Sequence, residues 1–178
     1  MKKNTMSGTN FDRQRWAVEI MNVQPNDQIL EIGCGRGNAV RLVAGKVKSG
    51  HITALDRSEK MTSVAKQTNA DVIASGLATV IHSEFPHAGL KSASFDKIFL
   101  FNINVFWMDP IAELNEVRRL LKPSGVFYIF HQPPPGHEPA EFAAKFKENL
   151  TKNNFDIKEV IFGEFEPVGA VCVISRPG

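Results

Sequence analysis

A glycine-rich segment directly after an apolar run most constrains how this chain can fold. The run covers residues 29–32, and Gly33, Gly35 and Gly37 follow it. Beyond them, apolar residues recur at the spacing of an amphipathic helix, namely Val40, Val43, Ala44 and Val47. The segment therefore predicts a strand, a tight loop and a helix. Glycines in such a loop let backbone N–H groups approach a ligand closely, and the helix N-terminus adds a partial positive charge.

Strand-like and helix-like segments alternate from this point to residue 131. Strands are predicted at residues 28–32, 51–55, 78–82, 95–102 and 126–131. A single helix is predicted between Ser58, as its N-cap, and Ser75-Gly76. Alternation of this kind requires right-handed crossovers and a parallel sheet with helices on both faces. Two closing strands, 155–162 and 170–175, are expected to pair as an antiparallel hairpin.

Size and composition limit the classes of protein that this chain can belong to. With 178 residues, 43% of them hydrophobic, we expect a disordered tail at residues 1–9 and a single domain at 10–178. The net charge of +2 does not favour a nucleic-acid partner. Cys34 and Cys172 predict neither a disulfide framework nor a metal site. Without an apolar signal or membrane span, a cytoplasmic protein is expected, as a monomer or homodimer.

Ligands of doubly wound sheets bind outside the carboxyl ends of the strands, where the strand order reverses. This rule selects the loop at 33–37, Asp56, Ser83-Glu84, the segment 102–104 and His131-Gln132. An acid about twenty residues beyond a glycine loop, at the tip of the second strand, binds the ribose hydroxyls of a nucleoside. Asp56 occupies that place, although an Asp that only begins the next turn is the alternative.

The spacing of the glycines is similar to one family. In a dinucleotide fingerprint the third glycine lies three residues beyond the second, whereas here Gly37 follows Gly35 by two and position 38 is Asn. The pattern from Glu31, Glu-x-Gly-x-Gly-x-Gly, resembles motif I of the class I S-adenosylmethionine-dependent methyltransferases. Two later segments add to the resemblance, Ser83-Glu84-Phe85 ahead of Phe95-Asp96 and the turn Leu120-Leu-Lys-Pro-Ser-Gly125.

This resemblance, over residues 28–131, implies a Rossmann-like α/β fold and an enzyme that transfers the methyl group of S-adenosylmethionine and releases S-adenosylhomocysteine. It implies that Asp56 binds the ribose, that Glu84 accepts from the adenine amino group, and that Glu31 holds the loop or the methionyl amino group. Cys34 is common at its place in the family, so a nucleophilic role is not expected. The implied cofactor-binding residues are Glu31, Gly33, Cys34, Gly35, Gly37, Asp56, Arg57, Ser83, Glu84, Phe85 and Asn102.

The acceptor side of such a site is less constrained by the sequence. His131 is the best candidate for a general base, because it follows the fifth strand and titrates near neutrality; the alternative is a surface histidine before a proline loop. Phe106-Trp107 either faces the sulfonium or packs beneath the next helix. Arg13 and Arg15 either meet an anionic group or lie on an exposed helix face. The absence of a separate recognition domain favours a small-molecule acceptor, while a protein or RNA acceptor stays open.

The sequence also leaves open two hypotheses other than a methyltransferase. A non-catalytic nucleoside-binding protein is expected if Phe106 and Trp107 fill the crevice, and is disfavoured by a substrate-sized cavity. A nicotinamide-dependent oxidoreductase is disfavoured by Asn38 at the place of the third glycine. Asn102-Ile-Asn-Val, which lacks an Asn-Pro-Pro-aromatic signature, argues against methylation of exocyclic nitrogens of DNA bases.

Overall fold

The computed structural model describes residues 10–178, so the predicted tail at 1–9 lies outside the described residues. The strands are β1 (Gln28–Ile32), β2 (His51–Asp56), β3 (Ala78–His82), β4 (Phe95–Phe101), β5 (Leu121–His131), β6 (Phe155–Gly163) and β7 (Ala170–Pro177). The helices are α1 (Asn10–Met21), α2 (Asn38–Ala44), α3 (Glu59–Thr68), α4 (Ala70–Ala74), α5 (Ile111–Leu120) and α6 (Pro139–Lys152). A short 3-10 turn, Asn104–Trp107, lies between β4 and α5.

The seven strands form one sheet in the order β3-β2-β1-β4-β5-β7-β6. Strands β1 to β5 are parallel, and β7 runs antiparallel between β5 and β6. This arrangement confirms the predicted Rossmann-like, doubly wound α/β fold with a C-terminal antiparallel hairpin. The strand order reverses between β1 and β4, so the loops after these strands diverge and leave a crevice.

The two faces of the sheet bury separate hydrophobic cores, because neighbouring residues of a strand point to opposite faces. Ile29 and Phe99 belong to the core that contains residues of α1, α2 and α3. Leu30, Ile98 and Leu100 belong to the core formed with α5 and α6. All five side chains are fully buried, which explains why these strands read as continuous apolar runs rather than as alternating ones.

The helix predicted after Ser58 is interrupted, and this prediction is corrected. Ser58 is its N-cap as expected, since its hydroxyl accepts a hydrogen bond of 3.3 Å from the Met61 N–H. However, Asn69 has φ −115°, ends α3 and precedes the separate helix α4. The side chain of Asn69 bonds to backbone outside its own turn, which offers the chain an alternative to a continuous helix.

Phe106 and Trp107 belong to the core, as the plainer of their two interpretations expects, but Trp107 packs on α6 rather than beneath the next helix, α5. Phe106 is 1% exposed and its ring centroid lies 5.6 Å from that of Phe127. The Trp107 ring meets Phe142 edge to face at 5.7 Å. These aromatic residues therefore fasten the 3-10 turn to the sheet and to α6. In the described part of the chain, no helix is long and apolar enough to cross a membrane.

Candidate active site

A crevice of about 430 Å³ opens at the carboxyl ends of β1, β2 and β4. It lies where the strand order reverses, the position expected for a ligand. Its walls are formed by Ile32, Gly33, Leu55, Asp56, Arg57, Glu84, Phe85, Asn102, Ile103, Asn104, Val105 and Glu113. The strand-end rule thus selected several of the wall residues, including the segment 102–104, while Val105 and Glu113 were missed. Val105 directly follows that segment, but Glu113 comes from α5, which the rule does not reach.

Gly33 and Gly37 must be glycine both because a side chain would collide with neighbouring atoms and because their backbone is left-handed. At Gly33, with φ +76°, an added Cβ would lie 2.3 Å from the Cδ1 atom of Ile103, so a side chain would collide with the crevice wall. At Gly37, with φ +78°, an added Cβ would lie 2.5 Å from the Nδ2 atom of Asn69. Because both residues have left-handed backbone, other residues would also be strained there.

Asn69, which follows α3, binds the last glycine of this loop through its side chain. Its buried side-chain amide donates hydrogen bonds to the carbonyl oxygens of Gly37 at 3.0 Å and Ala65 at 2.9 Å. Sequence reasoning missed this residue because it placed Asn69 inside a helix. A polar residue of low helix propensity within an otherwise helical segment was the available signal.

Asp56 connects the glycine loop to β2. Its carboxylate accepts hydrogen bonds of 2.9 Å from the backbone N–H groups of both Gly35 and Ser58. Two carboxylate oxygens offer about four acceptor positions in total, so about half remain for a ligand. The half-buried Asp56 also lines the crevice. Its position therefore suits the predicted contact with two ribose hydroxyls.

Glu31 and Cys34 are buried and do not belong to the wall of the crevice. Glu31 is 2% exposed, and its Oε2 atom has no hydrogen-bond partner among the described residues. Burial, with the nearby negative charge of Asp56, raises the pKa of Glu31 to about 8. Burial also raises the pKa of the Cys34 thiol well above its usual value. A protonated, buried thiol agrees with the expectation that Cys34 is not a nucleophile.

Most of the remaining predicted residues line the crevice, and Ser83 does not. Arg57, Glu84 and Phe85 line it together with Asn102. Ser83 is outside the lining, and its N–H instead donates to the Asp56 carbonyl at 3.1 Å. Ser83 thereby holds the loop after β3 against the end of β2.

A second crevice, of about 420 Å³, adjoins the first. The two share Asn102 and Asn104. The second crevice is lined by Arg13, Asn102, Asn104, His131, Gln132, Pro133, Pro134, Pro135, Pro167 and Val168. Pro167 and Val168 were missed, because they lie between β6 and β7 and reach the crevice only through the insertion of β7 beside β5.

His131 lines the second crevice but is not a surface residue. It is 5% exposed, and its ring centroid lies 4.3 Å from that of Phe142 and 5.6 Å from that of Phe146. Neither ring nitrogen has a hydrogen-bond partner among the described residues. Burial lowers the pKa of His131 to about 4, so the ring is neutral at neutral pH.

Comparison with known proteins agrees with this geometry. Residues 30–129 match the family model described as "Methyltransferase domain". The chain belongs to this methyltransferase family. The uncharacterized methyltransferase YdaC of Bacillus subtilis is 24% identical over 179 residues, covering 96% of this chain and 94% of that protein. The putative methyltransferase YrhH of the same organism is 28% identical over 112 residues, covering 63% of this chain and 61% of that protein.

The fold is shared with solved methyltransferase structures. A SAM-dependent methyltransferase from Aquifex aeolicus superimposes with a TM-score of 0.76 at 18% identity, covering 91% of this chain and 88% of that one. Family membership makes methyl transfer from S-adenosylmethionine the activity of this domain, with the acceptor left unspecified. The donor supplies an electrophilic methyl group on a positively charged sulfur.

The residues of the first crevice, together with the buried Glu31 close to Asp56, fit this donor. The buried Glu31 has an unpartnered oxygen that would accept from the donor's amino group. Asp56 keeps acceptor positions that would bind the ribose hydroxyls. Glu84 and Phe85, on the wall formed after β3, would meet the adenine.

For Asp56, we expect the substitution Asp56→Ala to weaken binding of S-adenosylmethionine by about 1–3 kcal/mol, because charge-assisted hydrogen bonds are lost. Calorimetric titration measures this change. Asp109→Ala is the matched control, since Asp109 is exposed and does not line either crevice. Unchanged affinity in a correctly folded Asp56→Ala protein would contradict the ribose role.

For Glu31, we expect donor binding at neutral pH to release a proton. The raised pKa keeps this carboxyl protonated in the folded protein between pH 4.5 and about 8, and an adjacent cationic amino group favours the carboxylate. Titrations in buffers of different ionisation heat count the proton. The nucleoside 5′-methylthioadenosine, which lacks the amino-acid portion, should release none.

The variant Glu31→Gln separates this effect from other titrations. It should release no proton on binding the donor, and equal release by both proteins would contradict the role of Glu31. The raised pKa of Glu31 also makes stability depend on pH. Between pH 4.5 and about 8 the Glu31 carboxyl holds a proton in the folded protein but not in the unfolded chain, so the free energy of unfolding falls as pH rises through this range. Glu31→Gln should lose that part of the decline.

Proposed function

We propose that this methyltransferase acts on a small molecule that binds in the second crevice. The observation that carries the proposal is the junction of the two crevices at Asn102 and Asn104. A donor in the first crevice and an acceptor in the second would meet there, and methyl transfer depends chiefly on holding two reactants in contact and in line. A volume of about 420 Å³ suits a small ligand.

The packing of Phe106 and Trp107 supports catalysis over a non-catalytic role. Neither residue belongs to the described lining of either crevice, so neither occupies the place of an acceptor. An RNA acceptor receives less support, because the net charge is only +2. We also propose a cytoplasmic location, which the free, buried thiols of Cys34 and Cys172 support, because disulfides are rare in the reducing cytosol. The proposal further includes a monomer or homodimer without nucleic-acid or membrane partners.

We assign His131 the role of proton acceptor for the acceptor's nucleophilic group. The neutral ring has both nitrogens unpartnered among the described residues, so it can accept a hydrogen bond from a hydroxyl or an amine. As the new bond to carbon forms, the proton of that group would pass to the ring. A negative charge on a bound acceptor would raise the depressed pKa of His131 and strengthen it as a base.

The experiment that tests the function is titration of the purified protein with S-adenosylmethionine, S-adenosylhomocysteine and NADH. We expect binding of the first two and none of the third, followed by transfer of a labelled methyl group to compounds of a small-molecule library. Binding of NADH alone would support the oxidoreductase hypothesis instead. Binding of both methionine nucleosides without transfer to any small, protein or RNA acceptor would support the non-catalytic alternative.

For His131, we expect His131→Phe to retain donor affinity and to lower the methyl-transfer rate by about 10²–10⁴-fold, the usual contribution of a general base. Phenylalanine keeps a ring against Phe142 and Phe146. The pH dependence of stability is a second measurement, and it requires no acceptor. Because the pKa of His131 falls from 6.5 to about 4 on folding, the free energy of unfolding should decline as pH falls from 6.5 to about 4, and it should decline less in His131→Phe. A full transfer rate in His131→Phe would contradict the assignment.

A further inference from the structure

The two crevices have opposite charge. The first is lined by the carboxylates of Asp56, Glu84 and Glu113 beside the cation Arg57. None of the described residues that line the second crevice carries a carboxylate, and the charged one among them is Arg13. A positively charged donor suits the first set of groups. The second set favours a ligand of negative charge and disfavours a cation.

Gln132 holds Arg13 in this position. The side-chain oxygen of Gln132 accepts a hydrogen bond from the guanidinium of Arg13, and its side-chain nitrogen donates to the Val168 carbonyl at 2.6 Å. The Gln132 backbone N–H donates to the Asn102 side-chain oxygen at 2.8 Å. One residue thereby connects α1, the end of β4 and the turn between β6 and β7 around the crevice.

The guanidinium is well placed to bind an anion. Arg13 is half-buried, and burial lowers its pKa, so a positive charge there is poorly compensated by solvent. A guanidinium has five N–H donors in a planar fork that matches a carboxylate. The bond to Gln132 uses a neutral acceptor, which leaves the charge itself to be matched by a ligand.

The buried ring of His131 is the second, independent sign of a ligand. It lines the same crevice with no hydrogen-bond partner for either nitrogen among the described residues. Since buried polar groups are normally bonded, the ring indicates a ligand that carries a donor. Prolines and Val168 supply apolar wall between these polar groups.

We propose that the acceptor is a small organic anion, whose carboxylate or similar group binds Arg13 and whose nucleophilic hydroxyl or amine donates to His131. This inference rests on the proposed function. It goes beyond that function in naming the charge of the acceptor and the residue that selects it.

The test uses the full chain saturated with S-adenosylhomocysteine and a panel of small hydroxy- and amino-acids, such as 4-hydroxybenzoate, each paired with its uncharged carboxamide. We expect at least one carboxylate to bind about ten-fold or more tightly than its amide, the effect of one charge-assisted contact. Arg13→Gln should abolish the preference, and Arg13→Lys should retain part of it. Arg15→Gln is the matched control, because Arg15 is exposed on the same helix and does not line the crevice.

Several outcomes would overturn the inference. Equal binding of every acid and its amide would do so, as would a preference that survives in Arg13→Gln. If Arg13→Gln weakened S-adenosylhomocysteine but not 5′-methylthioadenosine, Arg13 would serve the carboxylate of the donor instead. Failure of the native protein to bind S-adenosylhomocysteine would overturn the proposed function as well, whereas the preceding outcomes leave it intact.

Discussion

The contact of the Asp56 carboxylate with the Gly35 N–H is the constraint on which the donor side of the site depends. A glycine loop has little conformational preference of its own, so its shape must be imposed by neighbours. Asp56 imposes it from β2, and the Leu55 carbonyl accepts from the Gly33 and Cys34 N–H groups. On the far side Asn69 holds the Gly37 carbonyl. The loop is therefore preorganised by groups outside it, which reduces the cost of ordering it when a ligand binds.

Two of the buried residues that carry unpartnered polar atoms bear on the crevices. Glu31 is close to Asp56, which lines the first crevice, and His131 lines the second, each with unpartnered atoms among the described residues. Burial shifts both pKa values towards the neutral form, about 8 for Glu31 and about 4 for His131. Both groups are therefore uncharged at neutral pH, and each has a buried polar atom without a hydrogen-bond partner in the described part of the chain. A cationic ligand group beside Glu31 and a hydrogen-bond donor beside His131 would supply the missing hydrogen bonds. Ligand binding therefore gives a physical reason for these buried polar residues.

The sequence was most informative where a short-range pattern determines the structure. The apolar run at 29–32 and the glycines after it predicted β1 and its loop, and the alternation of strands and helices predicted a parallel sheet. Position at a strand end then brought Asp56 and Asn102 to one crevice. The interruption at Asn69 was not predicted, because the bond that causes it joins residues 32 positions apart in the chain. Likewise Val168 reaches the second crevice only through the tertiary insertion of β7.

Asn102 lines both crevices and connects the strand ends between them. Its backbone is left-handed, with φ 56°, a conformation that Asn adopts more readily than most residues. This allows its N–H to donate to the Phe130 carbonyl at 3.0 Å while its side-chain oxygen accepts from the Gln132 N–H. The end of β4 is thereby bound to the end of β5 at the junction of the crevices. Because Gln132 also holds Arg13, two hydrogen bonds connect Asn102 at the junction to the guanidinium that lines the second crevice.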